Sequence, residues 1–343
     1  MSQTPVSQAA TFKVVVTDYE FADLEPERQV LEAAGLTLVP AQAGTEDELI
    51  ELCADADALI NQYAPVTAKV IRGLARCRVI SRYGIGLNTI DVPAATEAGI
   101  VVANVPDGSL EEVSDHAAAL ILTLARGLHR YDAAVRRGAW DYTVAAPLRR
   151  LRGRTLGLVG FGRIPRLLAE KMAGFGMTVL AHDPFADPSR AAALGVRLVD
   201  LDTLCRTSDV VSVHAPLTAE TEGLIGRAQF AAMKPTACLV NTARGPVVDE
   251  AALIEAVRTG RIAGAGLDVF AHEPLGPDSP LTRCENVVLS PHTAWYSEDS
   301  EIEIRTKTAR NVVEVAQGRL PTYLVNHDVH PATPLGGPDP AIR

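Results

Sequence analysis

The chain has 343 residues, which is enough for two domains of ordinary size. Hydrophobic residues make up 47% of it and charged residues 22%, a composition typical of a soluble globular protein. The formal net charge of −10 disfavours nucleic acid and anionic membranes as partners, although it leaves room for a local cationic pocket that binds a small anion.

The five cysteines are scattered along the chain, which predicts reduced thiols and neither a disulfide framework nor a metal site. The first ten residues contain no basic residue and no apolar run, so they do not predict a signal peptide. The longest apolar stretch, 117–125, is about half as long as a membrane span. We therefore expect a cytoplasmic protein with no membrane partner.

Apolar runs alternate with helical patterns in the first part of the chain, which indicates βα units on a parallel sheet. The predicted strands are 12–17, 37–40, 58–61 and 79–81, and the predicted helices are 24–34, 46–53 and 68–74. A turn-rich segment at 104–109 ends this series. It is followed by a helical tract, 111–137, which is read as one long helix or two consecutive ones.

The helical tract at 111–137 has a face rich in alanine and leucine. Such a face can pack against the core or against a second subunit. Because the tract precedes the sheet that it would otherwise cover, the sequence favours the second subunit. We therefore predict a homodimer formed through this region.

A second βα series begins at Thr155. Its predicted strands include 177–181, 210–213, 238–241, 266–269 and 287–289, and its predicted helices include 201–205 and 250–259. A last amphipathic helix near 301–317 comes after this sheet is finished, so it is expected to return to the first domain. The proline- and glycine-rich tail from His330 is expected to be disordered.

The second series opens with a strand, a glycine turn (Gly160-Phe161-Gly162) and a helix. This order aims backbone N–H groups and a helix N-terminus at a pyrophosphate, although an ordinary α/β turn is the alternative. The next strand leads to Asp183, 21 positions after Gly162, where an acidic side chain can bind an adenosine ribose. Asp183 would repel a 2′-phosphate and no cation stands in 184–189, so the sequence favours NAD over NADP.

Pro165 occupies the third position of the dinucleotide fingerprint, which is normally glycine. Proline is tolerated in the first turn of a helix, where its missing N–H has no intrahelical partner. We expect binding to survive with altered geometry.

Three polar segments follow predicted strands of the second domain, at the sheet edge where parallel sheets bind ligands. They are 240–249 with Arg244, 267–274 with Glu273, and 289–295 with His292. An arginine that clamps a carboxylate and a histidine paired with an acid suit hydride transfer to a 2-oxo acid. Each residue alone can equally be a salt bridge, a solvated acid or a capping histidine. Their common position at strand ends favours the site.

The segments NTARGPVVDE, LDVFAHEP and SPHTAW, together with GLVGFGRIP and the DP at 183–184, resemble the D-isomer-specific 2-hydroxyacid dehydrogenase family over about residues 12–328. HTAWYSEDSEIEIR and GRLPTYLVNHDV resemble its C-terminal-binding-protein branch. The presence of Glu273 and His292 argues against formate dehydrogenase. The end of the pattern near residue 330 argues against the long form of phosphoglycerate dehydrogenase.

The resemblance implies an α/β fold of two Rossmann or flavodoxin-like, doubly wound parallel-sheet domains with a cleft between them. The substrate-binding domain would comprise 11–106 and 300–330, and the NAD-binding domain 107–299. Residues 1–10 and 331–343 are expected to be disordered.

The resemblance also implies catalysis by Arg244, Glu273 and His292. The implied NAD contacts are Gly160, Phe161, Gly162, Arg163, Ile164, Asp183, His214, Ala215, Pro216, Thr242, Ala243, Arg244, Asp268 and His292. The implied substrate contacts are Arg82, Tyr83, Gly84, Ile85, Arg244, His292 and Trp295. In this pattern the backbone N–H groups of the 82–86 loop take the carboxylate. Arg82 can instead be a solvent-exposed strand-end arginine, and Trp295 a core residue.

The predicted function is NAD-dependent reduction of a 2-oxo acid to a D-2-hydroxy acid, and the reverse. Two arginines, Arg82 and Arg244, raise the further hypothesis of a dianionic substrate. The alternative is an NAD(H)-sensing, co-repressor-like binding protein in which turnover is incidental. The complete set of Arg244, Glu273 and His292 and the lack of a basic run weigh against that alternative.

Overall fold

The computed structural model describes residues 12–337. The chain divides into two compact units: unit 1 comprises Met1–Ser109 with Ser297–Arg343, and unit 2 comprises Leu110–Tyr296. The expectations for residues 1–10 and 338–343 lie outside the described residues. Within the described range, no helix is both long and apolar enough to cross a bilayer.

Unit 1 begins with four βα repeats and a fifth strand, and the five strands form one sheet. Its elements up to residue 103 are β1 (Lys13–Val16), α1 (Glu25–Ala33), β2 (Thr37–Pro40), α2 (Glu46–Cys53), β3 (Ala58–Asn61), α3 (Ala68–Gly73), β4 (Val79–Arg82), α4 (Val92–Glu97) and β5 (Val101–Ala103). The strand order is β2-β1-β3-β4-β5 and every pairing is parallel. This is the flavodoxin-like, doubly wound order.

Unit 2 contains a larger parallel sheet. Its elements are α5 (Leu110–Arg126), α6 (Leu128–Arg136), β6 (Thr155–Val159), α7 (Arg163–Ala173), β7 (Thr178–His182), α8 (Pro188–Ala193), β8 (Arg197–Leu198), α9 (Leu201–Thr207), β9 (Val210–Val213), α10 (Arg227–Ala232), β10 (Cys238–Asn241), α11 (Glu250–Arg258), β11 (Gly264–Leu267) and β12 (Val287–Leu289). The order is β12-β11-β10-β9-β6-β7-β8. The direction of winding reverses between β6 and β9, where Rossmann sheets bind dinucleotides. The prediction of two parallel-sheet α/β domains is confirmed.

The helical tract predicted at 111–137 forms two helices. Gly127 separates them with a left-handed backbone (φ 61°), a conformation that favours glycine. The alanine- and leucine-rich face of α5 packs on the unit's own sheet, since Ala117, Leu120 and Ile121 are buried in one core with Leu156 of β6. The expectation that this face meets a second subunit is therefore wrong for α5. It fails because the sheet that follows in the chain folds back beneath the helix.

The last helix of the chain, α12 (Glu298–Ala316), belongs to unit 1. Its Arg305 is buried and forms a bidentate ion pair with Glu27 of α1, at 2.8 Å from Nε to Oε1 and 2.9 Å from Nη2 to Oε2. The Tyr83 hydroxyl donates to the same Oε1 at 2.8 Å. Asn311 donates to Ser81 Oγ at 3.2 Å, so α12 is bonded to both α1 and β4.

Part of the tail predicted to be disordered is ordered instead. Ala332 N–H donates to Gly99 O at 3.3 Å, and Gly336 N–H donates to Gly318 O at 2.7 Å. Composition alone indicates disorder for 331–337, but these residues gain backbone partners from earlier parts of unit 1. The expectation is therefore wrong for 331–337.

Replacing Glu27 by glutamine should lower the free energy of unfolding by about 3 kcal/mol, near the lower end of the range for a broken buried ion pair, because the Arg305 guanidinium loses its bidentate partner and keeps only Glu301 and Asp23 as counter-charges. The measurement is chemical denaturation monitored by circular dichroism. Glu32→Gln on the same helix is the control. Glu32 pairs with Arg28 in solvent at 3.0 Å, so this change should alter stability by less than about 1 kcal/mol. Equal effects of the two substitutions would contradict the ion pair's role.

Candidate active site

The glycine turn lies where the winding of unit 2 reverses. Gly160 has φ +97°, and a Cβ on it would come within 3.0 Å of Ala215 N and His214 C, in the loop that follows β9. Only glycine therefore lets these two loops approach so closely. Gly162 is the N-cap of α7, and Pro165 lies in the first turn of that helix. Pro165 leaves α7 intact because an N–H at this position has no intrahelical acceptor.

Asp183 lies just beyond β7 and braces the glycine turn. Its Oδ2 accepts the Phe161 N–H at 2.8 Å, and its Oδ1 accepts the Phe185 N–H at 2.8 Å. Each carboxylate oxygen keeps a further lone pair for a ribose hydroxyl. Asp183 therefore stabilises the glycine turn, in addition to its predicted role in binding the ribose.

Two residues on neighbouring strand ends suit a bound dinucleotide. Burial lowers the pKa of His214 to about 3, so it is neutral, and its Nε2 lies 2.8 Å from Ser212 Oγ. Thr242, directly after β10, is buried, and its Oγ1 has no hydrogen-bond partner among residues 12–337. A buried hydroxyl without a partner is uncommon and marks a position for a ligand contact.

The loops after β10 and β11 meet at Gly245. A Cβ on Gly245 would overlap the carbonyl group of Phe270 and lie 2.6 Å from Ala271 N. The first loop is held by Asn241, whose Nδ2 donates to Arg244 O at 3.0 Å. This close approach brings the loop of Arg244 beside the loop of Glu273.

Glu273 and His292, which the sequence predicts to act as an acid and base pair, are in direct contact. His292 Nδ1 lies 2.6 Å from Glu273 Oε2, and Phe270 N–H donates to Oε1 at 2.9 Å. Burial raises the pKa of Glu273, but the hydrogen bond and charge of His292, the Phe270 amide and the charge of Arg244 outweigh it and hold the pKa below its usual value. With Nδ1 facing Glu273, Nε2 is the atom left to carry a proton to a ligand.

Asp268 holds the loop that carries His292. Its buried carboxylate accepts the Ser290 hydroxyl at 2.6 Å, the Thr293 N–H at 2.9 Å and the Ala294 N–H at 2.9 Å. The predicted contact of Asp268 with NAD would use the lone pair that remains on Oδ2. Sequence reasoning missed both Ser290 and its neighbour His116, which is 2.8 Å away through Nε2. The only sequence signal for His116 is a polar residue on the apolar pattern of α5.

The predicted substrate loop, Arg82 to Ile85, lies in unit 1. The Arg82 guanidinium covers Gly84, because a Cβ there would lie 2.6 Å from Arg82 Nη1. The prediction that Tyr83 contacts the substrate is wrong. The Tyr83 N–H donates to Asn61 O at 2.9 Å and the Tyr83 hydroxyl donates to Glu27, so neither group is available to a substrate carboxylate. Its ring is packed in the core of unit 1.

The structure thus brings Arg244, Glu273, His292 and Asp268 together in unit 2. Trp295 is half-buried and packs edge-to-face on Tyr296 at 5.6 Å between ring centroids. Among the described residues, no group of three or more histidine, cysteine or acidic side chains is arranged to hold a metal ion.

Residues 118–294 match the family model of the D-isomer specific 2-hydroxyacid dehydrogenase NAD binding domain. The match covers more than half of the chain. The protein belongs to this family. It therefore carries the family's NAD-binding domain, and unit 2 contains all of the matched residues.

Curated relatives and solved structures extend this match. A glyoxylate reductase from Korarchaeum cryptofilum is 42% identical over 293 residues, or 84% of this chain and 88% of that protein. A D-3-phosphoglycerate dehydrogenase from Archaeoglobus fulgidus is 40% identical over 83% of this chain, but this chain spans only 54% of its length. D-lactate dehydrogenase from Aquifex aeolicus, solved with NAD and lactic acid, has a TM-score of 0.80 at 30% identity over 89% of this chain and 96% of that one.

Gly245→Ala should push the loops after β10 and β11 apart, because a methyl group has no room beside the Phe270 carbonyl. We expect a loss of about 1–3 kcal/mol in stability. Differential scanning calorimetry measures the shift in Tm. Gly276→Ala, also after β11, is the control, since a Cβ there meets nothing within 4 Å. An unchanged Tm for Gly245→Ala would show that the two backbones are not in contact.

Proposed function

We propose that the protein reduces a 2-oxo acid to a D-2-hydroxy acid with NADH and catalyses the reverse oxidation with NAD. The observation that carries this proposal is the 2.6 Å contact between His292 Nδ1 and Glu273 Oε2, with the charge of Arg244 beside it. These groups follow the strands of a dinucleotide-binding sheet. Family membership and the names of the relatives support the same reaction class.

The side chains divide the work of the reduction between them. The Arg244 guanidinium binds the substrate carboxylate and polarises the 2-oxo group. NADH held at the glycine turn of unit 2 would supply the hydride for the carbonyl carbon. His292 gives the proton on Nε2 to the carbonyl oxygen, and Glu273 stabilises the imidazolium and fixes the ring through Nδ1. In the oxidation, His292 takes the hydroxyl proton back.

The residues fit NAD better than NADP. The Gly160–Gly162 turn and the N-terminus of α7 would hold the pyrophosphate. The carboxylate of Asp183 would accept the ribose hydroxyls and repel a 2′-phosphate, and 184–189 contains no cation. The orphan Thr242 hydroxyl supports a ligand at this sheet edge.

The main test is NADH oxidation against a panel of 2-oxo acids. Saturable turnover above a few per second supports the enzyme. His292→Ala should abolish reduction while NADH binding, followed by fluorescence, stays near normal, because Nε2 acts on the substrate. Arg244→Ala should damage both KM and kcat. Retained turnover in His292→Ala would contradict the assignment.

The second candidate is an NAD(H)-sensing, co-repressor-like binding protein, favoured by the C-terminal-binding-protein resemblance of 292–305. It predicts NADH-dependent dimerisation with negligible turnover. We also propose a homodimer through 111–137, now by way of α6, whose Leu128 and Val135 are 56% and 52% exposed. Analytical ultracentrifugation with and without NADH, read beside the turnover assay, separates the two candidates.

The lowered pKa of Glu273 predicts how the pair responds to acid. The carboxylate is stabilised by its partners, so the pair persists above the usual value of 4.5 and is lost only as the pH falls through the lower value in the folded protein. Carbon-13 NMR titration should give a midpoint below 4.5, with the resonance assigned by its absence in Glu273→Gln. A midpoint at or above 4.5 would contradict the pairing.

We further propose a dianionic substrate, a hypothesis that Arg82 at the end of β4 raises as a second arginine in addition to Arg244. If Arg82 binds the second negative charge, Arg82→Ala should lower kcat/KM for dianionic oxo acids about tenfold or more, and affect monoanionic ones much less. The same substrate panel measures the ratio. Arg72→Ala, an exposed residue of α3, is the control. An unchanged ratio in Arg82→Ala would remove the dianionic hypothesis and leave the reaction class intact.

A further inference from the structure

Three side chains form a hydrogen-bonded series behind the loop of His292. His116 of α5 places Nε2 at 2.8 Å from Ser290 Oγ, and Ser290 Oγ lies 2.6 Å from Asp268 Oδ1. His116 Nε2 is also 3.6 Å from the same Asp268 oxygen. The series thus starts on a helix and ends on the carboxylate after β11.

The chemistry of the three groups fixes the direction of these bonds. A carboxylate can only accept, so Ser290 donates its single hydroxyl proton to Asp268. The Ser290 oxygen must then accept from His116, which places a proton on His116 Nε2. Each donor in the series is satisfied, and Asp268 is almost completely buried.

Asp268 binds the chain on both sides of His292 and at His292 itself. Its carboxylate accepts the Ser290 hydroxyl before His292 and the amides of Thr293 and Ala294 after it, and its backbone carbonyl accepts the His292 N–H at 2.8 Å. His292 is held at φ 52°, a left-handed conformation that side chains other than glycine rarely adopt. Such a backbone persists only where surrounding bonds over-determine it. Here most of those bonds end on Asp268.

His116 connects this loop to the rigid core of unit 2. Leu120 lies one turn further along α5 and packs on β11, where a Cβ on Gly266 would come within 3.0 Å of Leu120 Cβ. The helix is therefore seated on the sheet by an apolar contact at the same face. Because α5 cannot shift easily, His116 gives Ser290 a fixed partner outside its own loop.

We propose that His116 is a positioning residue for catalysis: through Ser290 and Asp268 it keeps the His292 imidazole where Glu273 and the substrate need it. His116 itself touches neither substrate nor cofactor in this role. The inference rests on the proposed function for its kinetic effect, but its structural effect on the loop does not depend on turnover.

Kinetics of four variants test the series. His116→Ala and Ser290→Ala should each lower kcat about tenfold with KM changed less than about twofold, because a displaced proton donor slows chemistry more than binding. The double variant should match Ser290→Ala alone, since both changes break one series. His116→Gln, whose amide can donate from near the Nε2 position, should stay within about threefold of the parent. Multiplying effects in the double variant would overturn the proposal.

Hydrogen exchange of the full chain gives a readout that needs no substrate. The amides of Thr293 and Ala294 should lose protection in His116→Ala and keep it in His116→Gln. If His116→Ala does not fold, His116→Asn replaces it, because its shorter amide should not reach Ser290. Unchanged exchange in the alanine or asparagine variant would overturn the inference. Altered exchange together with no turnover on any oxo acid would support the effect of His116 on the loop and would remove the proposed function instead.

Discussion

The candidate site depends on the contact between two backbones at Gly245. There the loop after β10 touches the carbonyl of Phe270 in the loop after β11, with no side chain between them. This backbone contact fixes the relative positions of the loops that carry Arg244 and Glu273 before a substrate binds. Preorganised charges of this kind stabilise a transition state without reorganising during the reaction. The two loops can therefore approach each other only because Gly245 has no side chain.

Carboxylates hold together segments that lie apart in sequence. The buried Glu27 in unit 1, the buried Asp268 in unit 2 and the half-buried Asp183 in unit 2 each accept at least one hydrogen bond from a distant segment. A carboxylate accepts through two oxygens and donates nothing, so it can gather several donors around one point. Because each of these bonds is charge-assisted, the gathered segments are held more firmly than neutral turns would be.

Much of this fold can be predicted from local patterns. The bounds of β2, α2 and β3 agree with the sequence, because apolar runs and the Thr45–Glu48 capping box mark them. The strand expected at 266–269 is instead β11, Gly264–Leu267. Its glycines carry no apolar signal and serve the close approach of Leu120 and of Asn286 O.

In the candidate site, too, local sequence patterns predict some contacts and not others. Sequence predicts the pairing of Glu273 with His292, because strand ends of a parallel sheet share an edge. It does not predict that the Tyr83 hydroxyl bonds to Glu27, or that His116 bonds to Ser290, 174 positions away. Those contacts depend on how helices are seated on the sheets, which no local pattern encodes. The burial of the α5 face has the same cause.

The place of α12 in unit 1 has a consequence for how the polypeptide is made. Residues 12–109 leave the ribosome long before Arg305 and Asn311, and the whole of unit 2 is synthesised in between. During that interval Glu27 lacks the Arg305 guanidinium that neutralises it, and β4 lacks the hydrogen bond from α12 to Ser81. Unit 2 is one contiguous segment, so none of its own elements is synthesised after a different unit. Translation therefore delivers the dinucleotide-binding half as a complete segment first, and the half that begins the chain is the last to be closed.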